Sequence, residues 1–177
     1  MRTTNNGVTW SVNNISTSSG AKLPLIDVAY GNGKFVALGA NYDTDVGDIQ
    51  TSSDGITWSN TSPLVSDNFN CITYGNGKFV AITTSQGSPG VTSIYTSSNS
   101  TTWTKINLPS FSPYPTIYSV TTGNGIFIAV GYAHVATTYY PYTLTSTDGT
   151  TWTWNAISDR VTSICCLLYT SDAADDT

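Results

Sequence analysis

The sequence predicts an all-β chain of repeated four-stranded antiparallel blades, and three observations predict it. An apolar motif built around Asn-Gly occurs three times: VAYGNGKFVALG (Val28 to Gly39), ITYGNGKFVAIT (Ile72 to Thr83) and VTTGNGIFIAVG (Val120 to Gly131). A second motif alternates with it: SSDGITW (Ser52 to Trp58), SSNSTTW (Ser97 to Trp103) and STDGTTW (Ser146 to Trp152), with a copy TNNGVTW (Thr4 to Trp10) near the start. The closing tryptophans stand at 10, 58, 103 and 152, giving spacings of 48, 45 and 49 residues. A period of this length that holds four short strands is the signature of a propeller blade. The composition agrees. Only 10% of residues are charged, Glu is absent so that all 11 acidic residues are Asp, and 11 Tyr and 5 Trp accompany abundant Ser, Thr, Asn and Gly. Such a mixture favours strands and tight turns over helices.

Each element of a repeat follows from local chemistry. Strand A, IDVAYG in the first repeat, alternates apolar positions. Asn-Gly then makes a hairpin, because both central residues of that turn need positive φ. Strand B is KFVALGA, and after a variable loop strand C is DIQTSS. Asp-Gly turns the chain into strand D, ITWSN; Asp54 and Asp148, with Asn6 and Asn99 in the other copies, accept backbone N–H bonds there. Leu25, Phe69 and Ile117 stand three residues before Val28, Ile72 and Val120, and Val161 stands three before Ile164, so the register holds to Ile164. The expected fold is a β-propeller fragment of about three and a half blades within residues 1–165, with blades at about 23–60, 68–106 and 116–155 and a partial blade at each end. Asn6, Trp10, Ser52, Asp54, Gly55, Trp58, Ser97, Asn99, Trp103, Ser146, Asp148, Gly149 and Trp152 are expected to be structural, the tryptophans wedged between blades.

The pattern S-x-D-G-x-T-W resembles the Asp-box (BNR-like) repeat of sialidase-superfamily propellers, although it is one residue shorter between Asp and Gly. The pairing with G-N-G-x-F-x-A is similar to bacterial and phage repeat proteins related to that superfamily. The resemblance spans Thr4 to Ile164 and implies a propeller. A sialidase would further imply an arginine cluster, a Tyr nucleophile with a Glu partner and an Asp acid. Here the arginines are Arg2 and Arg160, and Glu is absent.

The last residues depart from the repeat. CLLYTSDAADD (Cys166 to Asp176) is similar to the translation of a transposase-end library adapter, so residues 166–177 are expected to be non-native read-through at the cut end of a metagenomic fragment. The missing blades of the same propeller are then expected partners. Without Asp172, Asp175 and Asp176 the net charge of −5 becomes −2.

Several classes are disfavoured. The pI is about 4.3 with no basic stripe, which speaks against nucleic acid. Apolar runs such as IFIAV are too short to span a bilayer, and MRTTNNGVTW holds no apolar signal-peptide core. Cys71, Cys165 and Cys166 have neither disulfide-framework nor metal spacing, and no cofactor is expected. Asn41, Asp43 and Asp45 echo the first half of a calcium loop, but Gly47 falls one position late and Ser52 stands where Glu would close the site. A solvated Asp-rich turn is the simpler account.

Function is expected where the repeats differ. The B–C loops read ANYDTDVGD, TTSQGSPGVT and YAHVATTYYPYT, and one connection reads NLPSFSPYPTIY. Variable loops on a rigid scaffold commonly carry binding. Phe111, Tyr114, Tyr132, Tyr139, Tyr140 and Tyr142 gather there, and aromatic faces suit sugar rings and low-entropy contacts. His134 in the same segment is expected to be a surface loop residue. No catalytic residue is assigned. The expected function is a non-catalytic module for binding or adhesion, with a glycan or protein ligand, at an extracellular, bacterial-surface, phage-tail or virion location. A sialidase-like glycoside hydrolase with its catalytic residues elsewhere, and a propeller resembling photosystem II assembly factors, stay open as alternatives.

Overall fold

A computed structural model describes residues 9, 24–41, 46–61, 68–84, 92–106, 108, 115–135 and 138–157. Twelve strands form three separate four-stranded sheets, each antiparallel and in simple sequence order. Blade 1 comprises β1 (Leu25–Gly31), β2 (Lys34–Asn41), β3 (Val46–Ser52) and β4 (Ser59–Asn60). Blade 2 comprises β5 (Asn68–Gly75), β6 (Lys78–Thr84), β7 (Thr92–Ser97) and β8 (Thr104–Ile106). Blade 3 comprises β9 (Pro115–Gly123), β10 (Ile126–Val135), β11 (Thr138–Ser146) and β12 (Thr153–Ala156). There is no helix among the described residues, so none there is long and apolar enough to cross a membrane. Thr9 apart, the partial blades expected around Thr4 to Trp10 and Val161 to Ile164, and the tail from Cys166, lie outside the described residues.

The A–B turns form as the sequence dictates. Asn32, Asn76 and Asn124 sit at φ 49°, 48° and 51°, each followed by glycine at φ 72° to 76°. The spacing of three between Leu25 and Val28, or Phe69 and Ile72, has a specific cause. Strict alternation would place such residues on opposite faces, but each strand A carries a bulge: the ladder shifts between Leu25 and Asp27, between Phe69 and Cys71, and opposite Val130 and Gly131. The extra residue restores both apolar side chains to one face. Gly131 is required at the third bulge, since a Cβ there would come within 2.1 Å of the Thr116 carbonyl oxygen.

The core lies between blades. One cluster joins Val36, Leu38 and Ile49 of blade 1 to Phe69, Ile72, Phe79, Ala81 and Tyr95 of blade 2. A second joins Val80, Ile82 and Ile94 of blade 2 to Ile117, Val120, Phe127, Leu144 and Trp152 of blade 3. The first strands β1, β5 and β9 lie side by side. Gly31 makes this approach possible: a Cβ there would fall 2.0 Å from the Tyr74 ring of the next blade. Trp152 is buried in the second joint, whereas Trp58 and Trp103 are half-buried and Trp10 lies outside the described residues.

Candidate functional site

The C–D turns share one geometry. In blade 1 the Ser52 hydroxyl donates to Asp54 Oδ1 at 2.9 Å and accepts from the Gly55 N–H at 2.8 Å, while Asp54 Oδ1 accepts from the N–H groups of Ile56 (2.7 Å) and Thr57 (2.8 Å). In blade 3, Ser146 and Asp148 repeat the pattern with Gly149, Thr150 and Thr151. Blade 2 makes it with a neutral acceptor: Asn99 Oδ1 takes the N–H groups of Thr101 and Thr102, and Ser100 stands at φ 66° where the other blades have glycine. The Ile56 and Thr57 N–H groups, then the Ser52 hydroxyl, hold the Asp54 carboxyl down at about 2. The N–H groups of Thr151 and Thr150 hold Asp148 well below the usual carboxylate range.

The same end carries bonds between blades. The Asn76 amide donates to the carbonyls of Gly125 (2.7 Å) and Thr147 (2.9 Å) in blade 3, and the Lys78 ammonium donates to the Asp148 carbonyl at 3.0 Å. Asn32 donates in the same way to the Ser98 carbonyl of blade 2 at 3.4 Å. The asparagine of G-N-G therefore both makes its own turn and holds the next blade, a role that turn chemistry alone did not reveal.

The described aspartates outside these turns are also engaged. Asp27 bridges two first strands: one oxygen accepts from its neighbour Val28 N–H and the other from the Ile72 N–H of blade 2, both at 2.8 Å. Asp48 is 1% exposed and accepts from the Gln50 and Asn60 amides, each at 2.8 Å. Cys71 is a buried free thiol beside Asp27; burial, then that carboxylate, push its pKa up to about 12, which leaves it unreactive.

The aromatic residues expected on a B–C loop stand elsewhere. Phe111 and Tyr114 lie outside the described residues. Tyr132, Tyr139, Tyr140 and Tyr142 belong to β10 and β11, which extend to Val135 and Thr138 and turn most of YAHVATTYYPYT into hairpin. Alternation then divides them. The Tyr132 ring lies 4.8 Å from Tyr139, edge-on, and 5.1 Å from Tyr118, so three rings run across one face of the blade. Tyr118 is the bulge residue of β9, in the position of Ile26 and Asn70, and sequence reasoning missed it because a bulge leaves no mark on the motif. Tyr139 is 46% exposed. Tyr140 is exposed too, but pairs with Ala133 and so faces the other side. Tyr142 is corrected from ligand contact to core. It is 2% exposed, packs edge-on against Trp154 at 4.8 Å and donates its hydroxyl to the Tyr132 carbonyl. Burial, then the phenols of Tyr118 and Tyr132, raise its pKa far above the usual phenol range. His134 is likewise on β10 rather than in a loop, paired with Tyr139. Of the calcium-loop residues, Asn41 ends β2, while Asp43 and Asp45 lie outside the described residues.

Three four-stranded antiparallel sheets with adjacent first strands and apolar joints define a β-propeller chain. Solved structures agree. The chain is similar to the endosialidase of phage phi92, at 14% identity over 81% of this chain and 29% of that one, with a TM-score of 0.52. It also matches a β-fructofuranosidase of Bombyx mori (14% identity, 75% of this chain, 35% of that one, TM-score 0.46) and an arabinanase of Bacillus subtilis (12% identity, 72% and 74%, TM-score 0.35). At 14% identity the likeness to the endosialidase is one of fold. The chain spans about a third of the length of the first solved structures it matches. No protein-family model and no curated protein matches it.

Proposed function

We propose that this chain is a non-catalytic propeller module that binds glycan through the tyrosine face of blade 3. The observation that carries this reading is the run Tyr118–Tyr132–Tyr139, with ring centroids 5.1 and 4.8 Å apart and Tyr139 nearly half exposed at its end. Phenols packed ring to ring on paired strands are held rigid, so a sugar ring laid against Tyr139 orders little that is not already ordered. The engagement of Asp27, Asp48, Asp54 and Asp148 in backbone and amide hydrogen bonds supports a binding role, since a general acid or base must reach its substrate. The likeness to the phage endosialidase supports the scaffold under this face and carries no activity. An extracellular or virion-surface setting belongs to the same proposal.

A glycan array with wild type, Tyr139→Ala and Tyr140→Ala tests it. Wild type is expected to bind a defined set of glycans. Tyr139→Ala is expected to lower affinity about tenfold, in line with an aromatic contact of 1–1.5 kcal/mol, without shifting the melt. Tyr140→Ala, on the opposite face, is expected to keep binding. Equal loss in both variants overturns the assigned face, and turnover of a chromogenic glycoside by the wild type would make the chain a hydrolase instead.

A further inference from the structure

Two turns of this chain are alike in sequence and differ in what holds them. Tyr30 to Ala37 and Tyr74 to Ala81 both read YGNGKFVA. Each makes a two-residue hairpin, with Gly31 paired to Lys34 and Gly75 to Lys78. Asn32 and Asn76 stand at φ 49° and 48°, the glycines after them at 72° and 76°, and all four residues are exposed. Only the side-chain bonds separate the two sites. The Asn32 amide donates across its joint to the Ser98 carbonyl at 3.4 Å, a long and weak bond. The Asn76 amide donates to two carbonyls of blade 3, Gly125 at 2.7 Å and Thr147 at 2.9 Å. Two residues on, the Lys78 ammonium fastens the same seam through the Asp148 carbonyl at 3.0 Å.

An asparagine followed by glycine carries its own reaction. The glycine nitrogen, unhindered by a Cβ, attacks the side-chain carbon Cγ. The Cγ–Nδ2 bond breaks, ammonia leaves with the proton of the glycine N–H, and a cyclic succinimide remains. Water then opens the ring at either carbonyl and gives aspartate or isoaspartate; nothing is oxidised or reduced. The attack needs a side chain free to swing Cγ over the glycine nitrogen. An amide fixed to two carbonyls of the next blade holds Cγ away until both bonds open together, which is a local opening of the joint.

We infer that Asn32 and Asn76 are sites of spontaneous conversion to aspartate and isoaspartate, with water as co-reactant, and that each is gated by the joint its amide holds. Asn32 converts in the closed molecule, whereas Asn76 converts when blades 2 and 3 part at the turn end. The product deepens the opening. A carboxylate at position 76 offers no N–H to the carbonyls of Gly125 and Thr147 and sets negative charge against them. Isoaspartate also adds a carbon to the backbone of a tight turn. A joint that has parted therefore closes less well afterwards.

Peptide mapping by mass spectrometry, with isoaspartate scored separately, tests the inference on the full 177-residue chain kept in mildly alkaline buffer with and without urea. In urea the two sites, set in identical sequence, are expected to convert at the same rate. Without urea Asn76 is expected to convert about tenfold more slowly than Asn32, the effect of its additional and shorter hydrogen bonds. Trp152→Ala, which empties the joint of blades 2 and 3, is expected to bring the Asn76 rate up toward that of Asn32 and to leave Asn32 unchanged. Asn76→Asp, a copy of the product, is expected to lower the melt further than Asn32→Asp. Equal rates at the two wild-type sites without urea overturn the inference, and so does a wild-type Asn76 that converts as fast in buffer as in urea. Both results come from the wild type and stand whether or not the variants fold. A folded Trp152→Ala chain whose Asn76 rate is that of the wild type overturns the gating.

Discussion

At the turn end of the blades Asn32 and Asn76 do the same work, and Ser52, Ser97 and Ser146 anchor three turns of one design. At the opposite end the blades diverge. The β10–β11 hairpin has strands of 10 and 9 residues where β6 and β7 have 7 and 6, and among the described residues only blade 3 puts three tyrosines in a run. Repetition at the turn end follows from its task, since each turn must meet a neighbouring blade. At the hairpin end strand length and side chains differ from blade to blade, and the proposed ligand face belongs to that end.

Replacing Trp152 should strike the turn end hardest. Trp152→Ala empties a buried indole from the joint of blades 2 and 3 and breaks its N–H bond to the Gly149 carbonyl. Chemical denaturation should show a loss of about 3–5 kcal/mol, and Trp103→Ala, at a half-buried site, should lose less. Equal losses would mean that the tryptophans act within their own turns rather than in the joints. Asn76→Ala comes next, at about 2 kcal/mol for two hydrogen bonds to the next blade, measured in the same way.

Acid should separate the turns from one another. The carboxyls of Asp54 and Asp148 are depressed in the folded chain, so as pH falls the unfolded chain takes up their protons first. The stability they contribute is whole above the unfolded value of 3.8; the share of Asp54 is lost as pH drops through about 2, and that of Asp148 at still lower pH. Thermal melts of wild type should therefore decline across that window, while the double variant Asp54→Asn, Asp148→Asn, which copies the neutral Asn99 turn, should decline less. Parallel curves would show that other groups govern the acid transition. The smallest effect is expected from Ser100→Gly. A residue at φ 66° without glycine's freedom costs about 1 kcal/mol, and the melt should rise accordingly.

How far the sequence reveals the molecule depends on whether a residue answers to its own turn or to a distant strand. Asn76, Gly77, Asp148 and Gly149 announce turns because their backbone angles and side-chain bonds are local. The odd spacing of Phe69 and Ile72 was visible, but the bulge that explains it belongs to the pairing of β5 with β6. Tyr142 reads as a loop residue because YAHVATTYYPYT is a stretch where the repeats differ. It is core because β11 continues through Pro141, placed opposite Tyr132 in the ladder. The tyrosines of the proposed binding face are legible in composition, but which of them share a face is not, since the alternation that parts Tyr139 from Tyr140 applies only once that segment is known to be a strand.

The amide of Asn76 grasps backbone carbonyls, not side chains. Every blade has those carbonyls whatever its sequence. A duplicated gene segment encoding one blade would thus arrive with its junctions to both neighbours already compatible, and its side chains would be free to drift at the far end. The hydrogen-bonded part of such a seam needs no coordinated change on its two sides when the array grows by copying and recombination, and a hairpin like that of the tyrosines can lengthen in one unit.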